Sequence, residues 1–251
     1  MVRVRARVDS GRLVLGPGPG PQERDVPLVQ EDPRTCGATC LLAARLLCER
    51  DGGAAARLGS LTGPAGGLRG ALRAEQLRLQ ALMNRRARGP LGPLPWPRGL
   101  GSTPWAVAGL LDRAVPRGRG GRAAYAVTWV GDAGPRWAAA VVRLRGHLAD
   151  GAPVLLVVGG PLPVPREGGG PVARALRRAA GRLPAVPRHY VLALPWTLLG
   201  RADPGEGRVH VYDPASGSVG PLDLMAARDP RRPGPRGLGY WPRVLALVEP
   251  S

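Results

Sequence analysis

Lysine, isoleucine and phenylalanine are absent from this chain of 251 residues, and asparagine occurs once, as Asn84. Arginine, alanine, glycine and proline abound instead, the mark of a GC-rich genome choosing among amino acids, so the arginine count alone says little about function. Acids are scarce as well: 36 basic residues face 18 acidic ones, a formal net charge of +18, and composition bias does not by itself explain that shortage. A field of this sign favours anionic partners such as nucleic acid, an acidic protein surface or anionic lipid. Long apolar runs are missing too. The nearest approach, residues 153–160, has the length of a strand and falls short of the ~18 to 20 residues of a spanning helix. The N-terminus alternates apolar and basic residues from Met1 to Val8 and lacks the continuous apolar core of a signal peptide, so a cytoplasmic location is expected.

Cysteine and histidine are few enough to weigh one by one. Cys36, Cys40 and Cys48 all fall in one predicted helix, and an odd number in a chain without a signal peptide argues against a disulfide framework. With neither a C-x-x-C pair nor a histidine cluster, a zinc site is not expected, and no cofactor is called for. Of the three histidines, His147 and His210 stand alone. The arginines form two acid-poor segments, one holding Arg174, Arg177, Arg178, Arg182 and Arg188, the other Arg228, Arg231, Arg232, Arg236 and Arg243. Neither interleaves aromatics, so a solvated basic face is the preferred reading over a nucleic-acid site.

What is present reads as a globular α+β chain, 44% hydrophobic and long enough for one domain with two lobes. Residues 1–25 predict a hairpin turning at Asp9-Ser10-Gly11, followed by a Gly/Pro linker. Residues 26–251 predict the main domain, with a helical lobe over 26–120 and a sheet lobe over 121–251. From Pro33 the pattern turns helical: Thr35 suits a cap, and Cys36, Cys40, Ala44 and Leu47 share one face. A second helix is predicted over 68–86, with Leu72, Leu79, Leu82 and Met83 inward, and a third from Thr103-Pro104 onward. Then come a strand over 124–130, a helix over 135–149 and a buried strand over 153–159. A basic Pro/Gly-rich loop is expected over 160–187, with a short helical pattern around 171–182. Strands follow at 189–194, 208–212 and 244–249, and their close spacing favours antiparallel pairing of the three.

Four residues far apart in sequence could assemble a thiol nucleophile site. Cys36 opens a helix, where unpaired backbone N–H groups and the macrodipole favour negative charge and so stabilise a thiolate. Cys40 and Cys48, mid-helix and apolar-faced, read as small buried hydrophobes. His189 starts a strand and is the candidate base. Asp213 ends the next strand and is placed to accept from His189 Nδ1–H, turning Nε2 to the thiol; Asp213-Pro214-Ala215-Ser216-Gly217 is also a good turn in its own right. His210, three residues before Asp213, should face the other way. Gln30 offers a side-chain amide that, with the Cys36 backbone N–H, can hold an oxyanion.

Gln30 to Cys36-Gly37-Ala38-Thr39, Gly151-Ala152-Pro153, His189-Tyr190 and Tyr212-Asp213-Pro214, in that order, resemble the C39-like branch of papain-like cysteine peptidases. The stretch from Leu94-Pro95-Trp96 to Trp105 is similar to actinobacterial proteins of that branch. The resemblance spans residues 28–217 and implies a papain-like fold, an N-terminal helical lobe against a C-terminal antiparallel sheet lobe. It also implies Cys36 as nucleophile, His189 as base, Asp213 as orienting acid and Gln30 as oxyanion donor. Cys40, where a small or hydroxyl residue would be less surprising, and the long basic insertion before His189 depart from the pattern. The function expected is a cysteine peptidase or amidase acting on a peptide or protein substrate, with acidic character suggested by the charge. Three alternatives stand beside it: a transglutaminase-like acyltransferase, a bacteriocin-processing peptidase, and a catalytically silent papain-like module that binds an acidic protein or nucleic acid through its Arg-rich faces.

Overall fold

A computed structural model describes residues 4–17, 25–48, 52–62, 67–114, 124–161 and 185–251. The first half supplies β1 (Val4–Asp9), β2 (Arg12–Pro17), β3 (Val26–Pro27), α1 (Cys36–Cys48), α2 (Gly53–Leu61), α3 (Gly67–Asn84) and α4 (Pro104–Ala114). The second half supplies β4 (Tyr125–Trp129), α5 (Gly134–Ala149), β5 (Val154–Gly160), β6 (Val186–Leu194), β7 (Arg208–Asp213), β8 (Ser218–Asp223) and β9 (Arg243–Pro250). All nine strands among the described residues join one antiparallel sheet in the order β1-β2-β8-β7-β6-β5-β9-β4, with β3 paired to β2. The protein is thus α+β.

β5 explains why the sheet is built this way. Its sequence, Val-Leu-Leu-Val-Val-Gly-Gly, is buried throughout, so it needs a strand on each edge and cover on each face. β6 and β9 supply the edges. Leu155 and Val157 pack into one core with α1 to α4, whereas Val154, Leu156 and Val158 pack into another with Trp137, Val141 and Leu144 of α5. The period of two in a strand thus sorts a continuous apolar run onto two separate cores. β9 therefore does not pair beside β7, as its position in sequence had suggested; it crosses to lie between β5 and β4.

The N-terminal hairpin turns at Ser10 (φ 47°) and Gly11 (φ 74°), two left-handed residues whose twist suits a two-residue connection. It extends the main sheet through Arg12, paired with Ser218, and buries Leu13 and Leu15 completely. α2 and β8 had no counterpart in the sequence reading. α1 is buried all round over residues 36–44 rather than along one stripe, because α3 and α4 lie on it as well as β6. The two ends of the expected basic loop are strand, with Gly160 paired to Val186; the remainder, together with Arg174, Arg177, Arg178 and Arg182, lies outside the described residues. In the second arginine segment, Arg228 and Arg243 converge on the buried carboxylate of Asp132, so that segment is in part a structural ion-pair cluster. Among the described residues no helix is long and apolar enough to cross a membrane.

Candidate active site

α1 begins at Cys36, so Cys36, Gly37 and Ala38 carry the backbone N–H groups that have no partner within the helix. Thr35 does not cap them. Its hydroxyl turns back to donate to the Asp32 carbonyl at 2.8 Å and contacts Gln76 Oε1 at 3.4 Å, because the chain enters the helix through a tight turn at 32–35 closed by Thr35 N–H to Asp32 O at 3.0 Å. No other side chain among the described residues takes the cap's place, which leaves amide donors beside the Cys36 sulfur. Gly37 packs between β6 and α4: a methyl there would meet Tyr190 Cδ2 and Val107 Cγ2 at 3.4 Å, the near edge of ordinary van der Waals contact.

Pairing between β6 and β7 stops at Leu192 opposite Tyr212, and His189 lies three residues beyond that point, on the part of β6 that outruns its neighbour. Its Nε2 bonds Asp213 Oδ1 at 2.8 Å with both side chains buried, and Cys36 lines the same groove as the imidazole and helps to raise its basicity. The ring orientation is the reverse of that expected from sequence: Nε2, not Nδ1, faces the carboxylate, and Nδ1 is the nitrogen that Asp213 does not use. The register gives the reason. Extended by one step it sets Asp213 opposite Val191, so His189 is a diagonal neighbour and spans the gap with its distal nitrogen.

Asp213 is held by its own turn. Ser216 Oγ donates to Oδ2 at 2.8 Å, and the Ala215 N–H donates to Oδ1 at 3.0 Å. Burial works to raise the Asp213 carboxyl, but the bonds from His189, Ser216 and Ala215 overcome it and hold the group below the ordinary carboxylate range. For His189 burial works to lower basicity; the bond to Asp213 and the neighbouring Cys36 outweigh it and raise the imidazole to about 9. At neutral pH the ring is therefore a cation set between a carboxylate and a thiol.

Gly239 closes the back of the ring. It is left-handed (φ 62°), and a Cβ there would sit 2.7 Å from His189 Cδ2 and 3.1 Å from Nε2. Only glycine fits both the backbone and the imidazole. Nothing in its local sequence, Gly237-Leu238-Gly239, announces that role.

Gln30 is placed beside this pair rather than in the groove it borders. Its backbone N–H donates to the Pro214 carbonyl at 2.8 Å, next to Asp213, and its Oε1 is buried without a hydrogen-bond partner among the described residues. Cys40 is fully buried and donates to the Tyr190 carbonyl at 3.5 Å; burial first, then the charges at Cys36 and Asp213, push its thiol well up. His210 lies among Arg201, Ala202 and Asp203, where burial and Arg201 lower its basicity.

A groove of about 510 Å³ opens in front of Cys36 and His189. Its walls are tied down by three carboxamide-bearing residues at i, i+4 and i+8 on α3, which the sequence reading passed over in favour of the leucines. Gln76 Nε2 donates to Val29 O at 2.8 Å, and its Oε1 accepts from Glu31 N–H at 3.1 Å. Gln80 Nε2 donates to Arg34 O at 3.1 Å. Asn84 Nδ2 donates to Gly101 O at 2.8 Å, its Oδ1 accepts from the Ser102 hydroxyl at 3.1 Å, and its carbonyl accepts from Trp96 N–H at 2.9 Å. Tyr190 completes the tie, its hydroxyl donating to Ser102 O at 2.7 Å. The signal available in sequence was scarcity: a chain with one Asn and four Gln places three of those five at helical spacing on one buried face.

Among the described residues no group of three or more His, Cys, Asp or Glu is placed to hold a metal ion. Comparison with models of known protein families, with curated protein sequences and with solved structures finds no match to this chain.

Proposed function

We propose that the protein is a cysteine peptidase or amidase of papain-like, C39-like character, with Cys36 as nucleophile, His189 as acid and base, and Asp213 as the group that orients the imidazole. One observation carries the reading: a buried His189–Asp213 bond of 2.8 Å whose imidazole shares a groove with a thiol at the first turn of a helix. A structural histidine needs one partner to satisfy it; this ring has a carboxylate on one nitrogen and lines, with a candidate nucleophile, an open groove.

The chemistry follows from the charges. With His189 protonated up to about 9, the imidazolium stabilises a Cys36 thiolate beside it. The thiolate attacks the substrate carbonyl carbon, and the oxygen takes the electron pair of the broken π bond. Backbone N–H groups at the start of α1 receive that oxyanion, joined by the Gln30 amide if its side chain turns toward them. His189 gives its proton to the leaving amine as the C–N bond breaks, which leaves an acyl-enzyme and a neutral imidazole. The ring then takes a proton from water as the water oxygen attacks the thioester, and the thiolate and the imidazolium are restored.

The test is a peptidyl electrophile, an epoxide or a vinyl sulfone, with the adduct mapped by peptide mass spectrometry, alongside turnover of a proteome-derived peptide library with and without added amine. Adducts are expected at Cys36 and not at Cys40 or Cys48, and they should vanish in His189→Ala. Hydrolysis of the library should vanish in Cys36→Ala and persist in Cys48→Ala. Labelling of Cys36 and Cys48 at equal rates, indifferent to His189, would remove the basis of the proposal; products joined to the added amine would turn it toward acyl transfer.

A further inference from the structure

Tryptophan makes up six of the residues in a chain with 4% aromatics, and three of the six, Trp96, Trp105 and Trp129, line the groove in front of Cys36 and His189. Trp105 and Trp129 form a pair with ring centroids 6.0 Å apart and planes inclined by 58°, a tilted geometry in which ring edges and faces attract. Trp129 nevertheless stays 54% exposed, and Leu100, on the same groove, 66% exposed. Large apolar side chains left open to water in one concavity mark a surface kept for a ligand. Asn84 and Tyr190 fix Gly101 and Ser102 of the lining, so that part of the cavity is preformed, and the groove's volume lies within the ~300–1,000 Å³ usual for ligand sites.

The charge of the groove is one-sided. Arg34 lies two residues before Cys36 and Arg188 immediately before His189; both are exposed and both line the groove. Neither has a carboxylate partner among the described residues, whereas Arg78, Arg143, Arg145 and Arg243 each hold one. No Asp or Glu among the described residues lines the groove. Two guanidiniums without a carboxylate partner among the described residues thus line the same groove as Cys36, His189 and three indoles.

We infer that the groove selects a peptide in which a bulky aromatic side chain lies next to an Asp or Glu at the scissile bond, the ring seated against Trp105 and Trp129 and the carboxylate held between Arg34 and Arg188. The inference rests on the cysteine-peptidase reading for its scissile bond but not for its binding order. An aromatic ring fills the indole floor with edge and face contacts, and a carboxylate accepts from a guanidinium fork with two parallel bonds. A basic peptide meets repulsion from both arginines, which gives selectivity by exclusion as well as by attraction.

The experiment uses the full chain carrying Cys36→Ala, with its fold checked by circular dichroism, and blocked peptides containing Glu-Phe, Glu-Ala or Lys-Phe. Phenylalanine leaves tryptophan emission free to report binding. Glu-Phe is expected to bind at least tenfold more tightly than either other peptide, with the margin over Lys-Phe shrinking as salt is added. The double variant Arg34→Ala/Arg188→Ala should lose the discrimination between Glu-Phe and Lys-Phe and keep that between Glu-Phe and Glu-Ala. Trp129→Ala should do the reverse. Equal affinity for all three peptides, tighter binding of Lys-Phe, or no binding by the folded protein would overturn the inference. The wild-type protein separates this failure from failure of the catalytic reading. Cleavage of library peptides without regard to aromatic or acidic residues leaves the peptidase standing and sinks the selectivity; the predicted binding order without any cleavage does the opposite.

Discussion

The thiol side of the site and the imidazole side are secured by opposite means. Segment 29–35, which delivers Cys36, is held by Gln76 and Gln80, more than forty residues ahead in sequence and fixed on another helix. Asp213, which orients His189, is held by Ser216 and Ala215, three and two residues away in its own turn. One side is precise only once α3 has docked on α1; the other is precise as soon as β7 and β8 form their hairpin. A site assembled this way should fail differently depending on which side is damaged. Loss on the imidazole side should act on protonation and leave the fold largely in place, and loss on the thiol side should act on stability and position together.

Asp213→Asn is the largest expected effect and the sharpest test of the first half of that contrast. The neutral amide removes the charge that keeps His189 protonated up to about 9, although its Oδ1 can still accept from Nε2–H, so the imidazole becomes less basic and loses its proton at lower pH. Peptide hydrolysis should fall by ~10²–10⁴-fold, and the alkaline limb of the rate profile, near 9 in the wild-type protein, should move toward neutrality. Stability carries the same sign. A histidine raised in the folded state contributes fully below its unfolded value of ~6.5, and its contribution is lost as pH rises through the folded value. The wild-type protein should accordingly lose stability between those two pH values, and Asp213→Asn should lose less. An alkaline limb that stays in place would mean that Asp213 merely closes its turn.

The same contrast accounts for how much could be read from the sequence. Asp213-Pro214-Ala215-Ser216-Gly217 carries its chemistry locally, in residues whose turn propensities and hydroxyls are visible side by side, and Cys36 opens its predicted helix at the first residue. Period-two alternation marked β1 and β2, a continuous apolar run β5 and a helical pattern α5, each within a residue or two. The thiol-side scaffold was not legible, because its bonds join α3 to a loop some forty-five residues earlier and glutamine on a helix normally reads as solvent-facing. Gly239 was hidden for a similar reason: what demands glycine is the His189 ring, fifty residues away. β8 escaped because Gly220 and Pro221 interrupt its pattern, residues that weaken a strand in sequence and are tolerated here by its pairing with β7. The partners of β9 escaped because β5, apolar on both faces, claims it as a neighbour ahead of the nearer β7.

Gln76→Leu addresses the second half of the contrast. Leucine keeps much of the volume but leaves the Glu31 N–H, the Val29 carbonyl and the Thr35 hydroxyl without the carboxamide they meet. Buried polar groups stripped of a partner cost ~1–3 kcal/mol, which thermal or denaturant unfolding would register. Released from α3, segment 29–35 should also let Cys36 drift from the imidazole, and a misplacement on the scale of an ångström lowers rate by roughly 10²-fold or less. The alkaline limb should not move, because nothing touching the His189–Asp213 pair has changed. A shifted limb in this variant would collapse the distinction between the two sides.

Ser216→Ala is the smallest of these changes and decides whether the local turn is redundant. The hydroxyl bonds Oδ2, the oxygen His189 does not use, so its removal leaves the 2.8 Å contact to Oδ1 and the Ala215 N–H in place. The expected loss is ~1 kcal/mol of stability and less than about tenfold in rate, because the carboxylate keeps its charge. The His189 titration should nevertheless respond, and upward. Ser216 donates to the carboxylate and withdraws charge from it, so without that bond more of the negative charge is left for the imidazolium. A downward shift would mean that Ser216 acts mainly by aiming Asp213, and that the turn, like α3 on the other side, works through geometry before charge.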